Sequence, residues 1–510
     1  MTELWVILIY LSLLVGVGII SAQFFRGTSR DFFVVSRSIG PVLLLMSVFG
    51  TTMTAFAMVG SSGQAFRDGI AVYGKVAGWS ALIHSAVFFF IGMKLWAFGK
   101  RYGHITQIQF FRARFESESV GYVLFPVLVG LVIPYLLIGL LGAGATVQGV
   151  TAGALPDLFP DTGGAVPAWL TSGVVAMVVM SYVFAGGMRS AAWANAFQTM
   201  IFMVMGFIAF WMISTSLGGA EQATAMAEDN VVMREGNVGQ LEYFTYFFIP
   251  LSVGMFPHLF QHWLTAKSAK TFRLTLVAHP VFIMITWIPC ILIGIWATGA
   301  MTPDGLPLTS AETRPNTVLG IMVENFTTPV LAGLVTAGVL AAIMSSLDSQ
   351  FVAMGTMFTQ DVVVRAVGED RFSDRQIIWL ARGFIIGIVV LTWLISLVAP
   401  RAIFPLAIWC FSGFAALFPL VFAAVYWKRA TAAGVVAGVI AMAATWIGFF
   451  TASNIVGTGT PGDVLLWGIN PVFYIFGACA VALVVVSLST RPPSAETVEK
   501  YFPGGRAIGG

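Results

Sequence analysis

Three short stretches of this chain hold the residue types that could do chemistry. The first is Ala341-Ala342-Ile343-Met344-Ser345-Ser346-Leu347-Asp348-Ser349-Gln350, inside an otherwise apolar run. Adjacent hydroxyls, a carboxylate and a further hydroxyl are expensive in lipid. Hard oxygen donors without thiolate or imidazole suit an alkali or alkaline-earth cation, and mostly neutral donors favour a monovalent one. The competing reading is a polar seam between helices. The second stretch is Ser47 to Gly63, with Gly50, Thr51, Thr52 and Thr54 in its middle and Gly60-Ser61-Ser62-Gly63 after them. Such density lets a helix unwind, and unwound carbonyls in hydrocarbon need a cation or polar substrate as partner. Close packing by small residues is the alternative. The third runs from Pro250 to His262, with Ser252, Gly254, Phe256, Pro257, His258 and Gln261 between. Proline removes an amide donor and clashes with the carbonyl four residues back, so this helix must break. His258 and His262 stand four apart, a spacing that can bind metal, but no third ligand is near in sequence.

All three stretches need membrane helices to position them. The 510 residues are 58% hydrophobic and only 10% charged, with mean hydropathy +0.89. Soluble proteins carry about 45–50% apolar and about 25% charged residues. The composition specifies an integral multi-pass membrane protein in the lipid bilayer. It excludes a soluble enzyme, a disordered scaffold and a nucleic-acid binder, since 26 basic residues barely exceed 23 acidic ones. The three cysteines, Cys290, Cys410 and Cys479, sit in separate apolar runs and read as buried small residues.

A crossing of about 30 Å needs roughly 20 apolar residues. That ruler predicts about thirteen helices: 3–22, 41–66, 74–98, 119–150, 168–185, 191–217, 243–265, 274–298, 329–360, 377–398, 402–427, 432–451 and 468–489. The first begins Thr2-Glu3 and lacks a basic lead or cleavage site, so it reads as a retained helix. One set of loops (23–40, 99–118, 186–190, 266–273, 361–376, 428–431 and 490–510) holds 19 Lys and Arg; the opposite set holds Arg67, Lys75, Arg234, Arg314 and Arg401. The asymmetry predicts an amino terminus outside and a carboxyl terminus in the cytoplasm of a plasma (inner) membrane. The outer loops 218–242 and 299–328, with Glu221, Glu228, Asp229, Glu235, Glu242, Asp304, Glu312 and Glu324, read as solvated caps. The two broken spans lie five apart, as an inverted-repeat secondary transporter requires.

Over nearly its whole length the chain resembles the sodium:solute symporter family. The resemblance rests on Asp31-Phe-Phe-Val-Val-Ser36-Arg37-Ser38-Ile-Gly40, Gly186-Gly187-Met-Arg189-Ser-Ala-Ala-Trp193, the stretch from Ala341 to Asp361, and Trp427-Lys428-Arg429-Ala430-Thr431 with Gly434. It implies an all-α, leucine-transporter-type fold in a single transporter domain, 1–510. Its two inverted five-helix repeats would be 41–217 and 243–427, with the extra helix 3–22 before, two helices in 432–489 after, and a cytoplasmic tail 490–510. It also implies a Na+ site with carbonyl ligands from Gly50, Met53 and Ala342 and hydroxyl ligands from Ser345 and Ser346.

Two departures from the family pattern follow. Some members place a second-site aspartate in a Trp-Thr-Asp pattern where this chain has Trp193-Ala194-Asn195, so one Na+ per cycle is expected. Asp348 either supplies that charge from the facing helix or is a hydrogen-bonded carboxylate of the vestibule. Sugar-transporting members are polar where this chain has Ala55-Phe56-Ala57 and Phe256-Pro257-His258. A pocket lacking hydrogen-bond partners rejects a sugar, so a small carboxylate or zwitterion (pantothenate, proline or a monocarboxylate) is the expected solute. Its contacts would come from Thr54, Lys75, Phe256, His258 or Gln261, or from exposed amides of the broken helices, with Trp79 and His84 as further lining. The expectation is Na+-coupled symport by a monomer, with no enzymatic activity. The alternatives are H+ coupling through Asp348 and a transporter-like solute sensor. A respiratory-complex subunit would need paired histidines or mid-helix lysines and glutamates, which the spans lack.

Overall fold

The computed structural model describes residues 1–227, 238–310, 312–368, 371–399, 402–456 and 464–502. Glu228, Asp229, Arg234, Glu235, Arg401 and Arg506 therefore lie outside the described residues. Ten described helices are long and apolar enough to cross a bilayer, and the bent pair Pro41–Thr52 and Phe56–Asp68 makes an eleventh crossing. Reaching the expected thirteen takes two further divisions. The 49-residue helix Ala168–Ser216 turns at Gly187 (φ 57°, ψ −137°). At 1.5 Å per residue it would run about 73 Å unbroken, more than twice the hydrocarbon thickness. The interrupted stretch from Gln240 to Thr265 would be the other crossing.

Both expected breaks are present, each with a local cause. Pro41 opens the first broken helix at a position where its missing amide costs nothing. The helix stops at Thr52, and Met53 is extended (φ −88°, ψ 117°). The Thr54 hydroxyl then accepts from the Phe56 amide at 3.0 Å and restarts the chain at an angle of 59°. In the second broken helix, Tyr246–Gly254 is wound as a tight 3-10 turn around Pro250. Phe256 is extended, and Pro257 opens Pro257–Thr265.

Between them runs Pro329–Met357, which carries Ser345, Ser346, Asp348 and Ser349 and is buried from Val335 onward. Protein on every side explains why this helix tolerates polar groups: its neighbours, not lipid, must satisfy them. It packs against the first broken helix, Ala168–Ser216, Glu118–Val150, Asp374–Ser396 and Thr2–Ala22. The lipid-facing surface carries exposed Trp5, Trp169, Trp193 and Trp211.

The loops sort to two ends. At the basic end Ser29 meets Asp374, Arg37 meets His104, Ile39 pairs with Thr265, and Arg112 meets Asp361. At the other end Lys75 meets Glu242, and Asn470 bonds Thr245. The outer caps are only partly solvated, contrary to expectation: Val318–Phe326 buries Val318, Leu319, Met322 and Val323. Alternating apolar residues at helical spacing inside that loop give it a face to bury. Cys290, Cys410 and Cys479 are buried and unpaired.

The foot of the first broken helix is unusual. Val35, Ser36 and Arg37 have φ of 51°, 50° and 57°, three consecutive left-handed residues without a glycine. Each such residue costs roughly 1–2 kcal/mol, most for a β-branched valine.

Candidate functional site

The break at Met53 lies against the serine-bearing helix. The Ser345 hydroxyl is 2.7 Å from the Gly50 carbonyl and 2.8 Å from the Ala342 carbonyl, and it is fully buried. Gly50 owes its identity to the opposite side: a Cβ there would fall 2.4 Å from Thr199 Oγ1 and 3.3 Å from the Asn195 carbonyl. Ser346 Oγ accepts from Gln350 Nε2 at 2.7 Å. Gly50, Ala342 and Ser345 thus converge, Ser346 adjoins Ser345 in the chain with its hydroxyl bonded to Gln350, and Met53 lies one helical turn beyond Gly50, its amide donating back to the Gly50 carbonyl at 3.2 Å. These are neutral, hard oxygen donors, the set a monovalent cation takes.

One turn further along lies a second polar knot. Asp348 is fully buried, and among the described residues it has no cationic side chain within ion-pair distance. Its carboxylate accepts from Tyr182 OH at 3.0 Å and from Ser349 Oγ at 2.9 Å. Ser349 in turn accepts from Asn195 Nδ2 at 3.0 Å and lies 2.8 Å from His262 Nε2. Asn195 and Asp348, singled out separately in the sequence, are therefore joined through one hydroxyl. Asn195 Oδ1 and the whole Gln198 amide are buried without a hydrogen-bond partner.

An aromatic cluster flanks the site. Phe256 and His258 stack at 5.1 Å, Tyr135 sits 5.5 Å from the His258 ring, and Phe411 lies 4.9 Å from Tyr135. Phe56, just past the first break, joins through Phe411 at 5.4 Å. Tyr135 also lies beside the Ser346 hydroxyl, so the aromatic cluster touches the serine-bearing helix next to Ser345. Both His258 ring nitrogens are buried and unpartnered.

The other expected contacts are committed elsewhere. Lys75 forms a buried ion pair with Glu242. Gln261 Nε2 donates to the Phe33 carbonyl at 2.9 Å and to Thr356 Oγ1 at 2.7 Å. Thr54 caps the restarted helix. Trp79 bonds the Tyr243 carbonyl, and His84 pairs with His279 at 3.3 Å. His258 and His262 do not act together: one ring packs on Tyr135, the other meets Ser349. Sequence reasoning missed Tyr135, Tyr182, Phe411 and Gln350. Only Gln350, four residues after Ser346 on the same helix face, had a local signal.

Interrupted helices packed against a buried serine-bearing helix, with neutral oxygens gathered at the break, are the architecture of a multi-pass secondary transporter. The model of the sodium:solute symporter family matches residues 32–448, and the chain belongs to that family. It is 22% identical over 488 residues to the high-affinity proline transporter PutP of Bacillus subtilis, covering 92% of this chain and 95% of that protein. It is 25% identical over 494 residues to the sodium/proline symporter of Escherichia coli, covering 92% and 90%. Among solved structures, a Na+-coupled sialic acid symporter in a substrate-bound, outward-open state superposes with TM-score 0.72 at 17% identity, covering 97% of this chain and 99% of that one. Mhp1, a nucleobase-cation-symport-1 family transporter, superposes with TM-score 0.54 at 14% identity, covering 92% and 95%. The fold is of the leucine-transporter type, and the protein is a Na+-coupled symporter of a small solute, not an enzyme.

Proposed function

We propose that the protein imports a small zwitterion with an apolar body, proline or a close analogue, with Na+ held by the carbonyls of Gly50, Met53 and Ala342 and the hydroxyls of Ser345 and Ser346. The observation that carries this reading is the Ser345 hydroxyl bridging Gly50 and Ala342 across the first break. An entering Na+ would take over the two carbonyl oxygens that this hydroxyl now gathers, together with the hydroxyl itself. The cluster of Tyr135, Phe256, His258 and Phe411 is packed ring against ring, with the two His258 nitrogens unpartnered. A solute site opening beside it would suit a small ring bearing a charged end and reject a sugar. The names of the proline-transporting relatives support the same solute.

In this reading the first repeat is 41–217 and the second 243–427, with 3–22 before and 432–489 after. The 19 basic residues of one loop set put that end, and the tail 490–510, in the cytoplasm; residues 503–510 of that tail lie outside the described residues. The protein works as a monomer in the plasma (inner) membrane. Na+ ties the first broken helix to the serine-bearing helix and orders Tyr135 beside Ser346, so each ligand raises the other's affinity. One inward charge contributes about 2.3 kcal/mol per 100 mV. Asp348 and Asn195, joined through Ser349 one turn away, are the hydrogen-bonded polar support of the cluster.

The test is uptake into proteoliposomes of L-proline, pantothenate, a short monocarboxylate or glucose, under an inward Na+ gradient against an equal K+ control. Na+-dependent proline uptake lost in Ser346→Ala supports the assignment. Uptake driven by a pH gradient alone moves coupling to Asp348. No uptake of any solute favours a sensor.

A further inference from the structure

We propose that Asp31 is a positioning residue of the transport cycle: clasped by Arg189, it holds the left-handed segment 35–37 bent at the foot of the first broken helix, and release of that clasp lets the basic end open. The Asp31 carboxylate is fully buried. It accepts from Arg189 Nε at 3.1 Å and Nη2 at 2.6 Å, from the Arg26 amide at 3.0 Å and from Ser36 Oγ at 3.0 Å. A bidentate guanidinium with two further donors uses every acceptor direction of the carboxylate. Two residues before Arg189, Gly187 (φ 57°) lets the backbones close: a Cβ there would sit 2.5 Å from the Phe32 carbonyl.

The bend that follows is held from several sides. Left-handed valine and its two successors persist only where surroundings over-determine them. Here Ser36 is held by Asp31, and Arg37 donates to the His104 carbonyl at 3.0 Å. The Ile39 amide donates to Thr265, and its carbonyl accepts from Lys267, both at 3.0 Å. The chain then passes Gly40 into Pro41–Thr52, which ends two residues past Gly50. Gln261 bonds the Phe33 carbonyl and Thr356 with one amide nitrogen, linking the same segment to both the second broken helix and the serine-bearing helix.

Strain stored at 35–37 pulls toward a relaxed, extended backbone, and the Asp31 clasp opposes it. Letting go would swing the first broken helix, and with it the Gly50 carbonyl, away from Ser345. The state of this hinge and the affinity for Na+ are therefore linked. The inference rests on the Na+ site proposed above, and it predicts opposite signs for two substitutions. Asp31→Asn frees the hinge and weakens Na+ binding. Val35→Gly removes the left-handed penalty, stabilises the bent form and strengthens Na+ binding.

The experiment is amide hydrogen exchange on the full chain in lipid nanodiscs, titrating Na+ against K+ with no solute present. The readout is exchange in the peptide spanning 31–40 and the Na+ concentration that half-protects it. Asp31→Asn should raise exchange in K+ and shift the half-point up about fivefold or more, and Val35→Gly should shift it down by a similar factor. Arg189→Lys should fall between wild type and Asp31→Asn. A half-point unmoved by either substitution, or moved the same way by both, overturns the proposal and leaves Asp31 a local staple. Should Asp31→Asn fail to fold, Val35→Gly decides alone: a lower half-point supports the hinge and an unchanged or higher one refutes it. Ser345→Ala separates the two readings. If it keeps wild-type Na+ protection, the Na+ site is misplaced; if it loses protection while the hinge variants do nothing, only the hinge fails.

Discussion

Replacing Gly50 by alanine should damage Na+ binding through a contact on the far side of the helix from the site. The new Cβ would lie 2.4 Å from Thr199 Oγ1 and 3.3 Å from the Asn195 carbonyl, so something must give by at least about 0.6 Å before the first contact reaches 3.0 Å. If Thr199 rotates, it loses its 2.9 Å bond to the Met46 carbonyl, worth about 0.5–1.5 kcal/mol. If the backbone moves instead, the Gly50 carbonyl shifts relative to Ser345, now 2.7 Å away. Overpacking of this kind costs about 1–3 kcal/mol. A middle value of about 2 kcal/mol raises the half-saturating Na+ concentration about thirtyfold. The measurement is that concentration, from initial uptake rates in proteoliposomes and, independently, from Na+-dependent thermal stabilisation of the purified protein. Gly50→Ala with Thr199→Ala should recover most of the loss, because the second change removes the clashing atom. A wild-type Na+ dependence in Gly50→Ala, or no recovery in the double variant, would refute the packing argument.

Ser345→Ala and Ser346→Ala should each raise the half-saturating Na+ concentration far more than they lower protein abundance; equal losses in both would indicate a packing role. His258→Phe preserves the stack on Phe256 but removes both ring nitrogens, so the solute KM should rise about tenfold while Na+-dependent thermal stabilisation is unchanged. Lys75→Met or Glu242→Met alone strands a buried charge and should cost about 3–5 kcal/mol, whereas the double substitution should be nearly neutral; additive losses in thermal melting would count against the pair. Burial first, then Lys500 and Arg37, hold His104 down to about 4. The undocked chain then binds more protons between about pH 6.5 and 4, so docking of the carboxyl-terminal helix Ala495–Tyr501 should weaken as pH falls through that window and stay flat above 7. His104→Gln should flatten the slope in amide exchange of that helix. The Asp31 clasp should persist down to lower pH: burial pushes its carboxyl up, but Arg189, the Arg26 amide and Ser36 outweigh it and hold it below its ordinary value.

Both broken helices were legible because their causes are local. Pro257, Gly254 and Pro250 force one break, and the glycine and threonines around Met53 permit the other. Asp31 was legible only as part of a motif. Nothing near it in sequence indicates that Arg189, on a helix 158 residues away, would clasp it. Lys75 was read as available to a carboxylate solute because the sequence does not show Glu242 beside it, 167 residues on. The solvated reading of loop 299–328 underweighted Val318, Leu319, Met322 and Val323, whose spacing gives a short helix with a buried face.

The sequence by itself determined what local chemistry and composition control. It specified membrane crossings, where they must break, and a set of hard neutral oxygens on one helix suited to a monovalent cation. Tertiary structure decided everything that depends on which helix faces which. It brought the Gly50 carbonyl to Ser345 and joined Asn195 to Asp348 through Ser349. It also packed Tyr135 against Phe411 and committed Lys75 and Gln261 to partners of their own. The physical reason is that a hydrophobic span carries almost no information about its neighbour, since one apolar face meets another as readily as it meets lipid. The few polar groups that do discriminate find their partners 87 to 295 residues away, where only the folded chain brings them together.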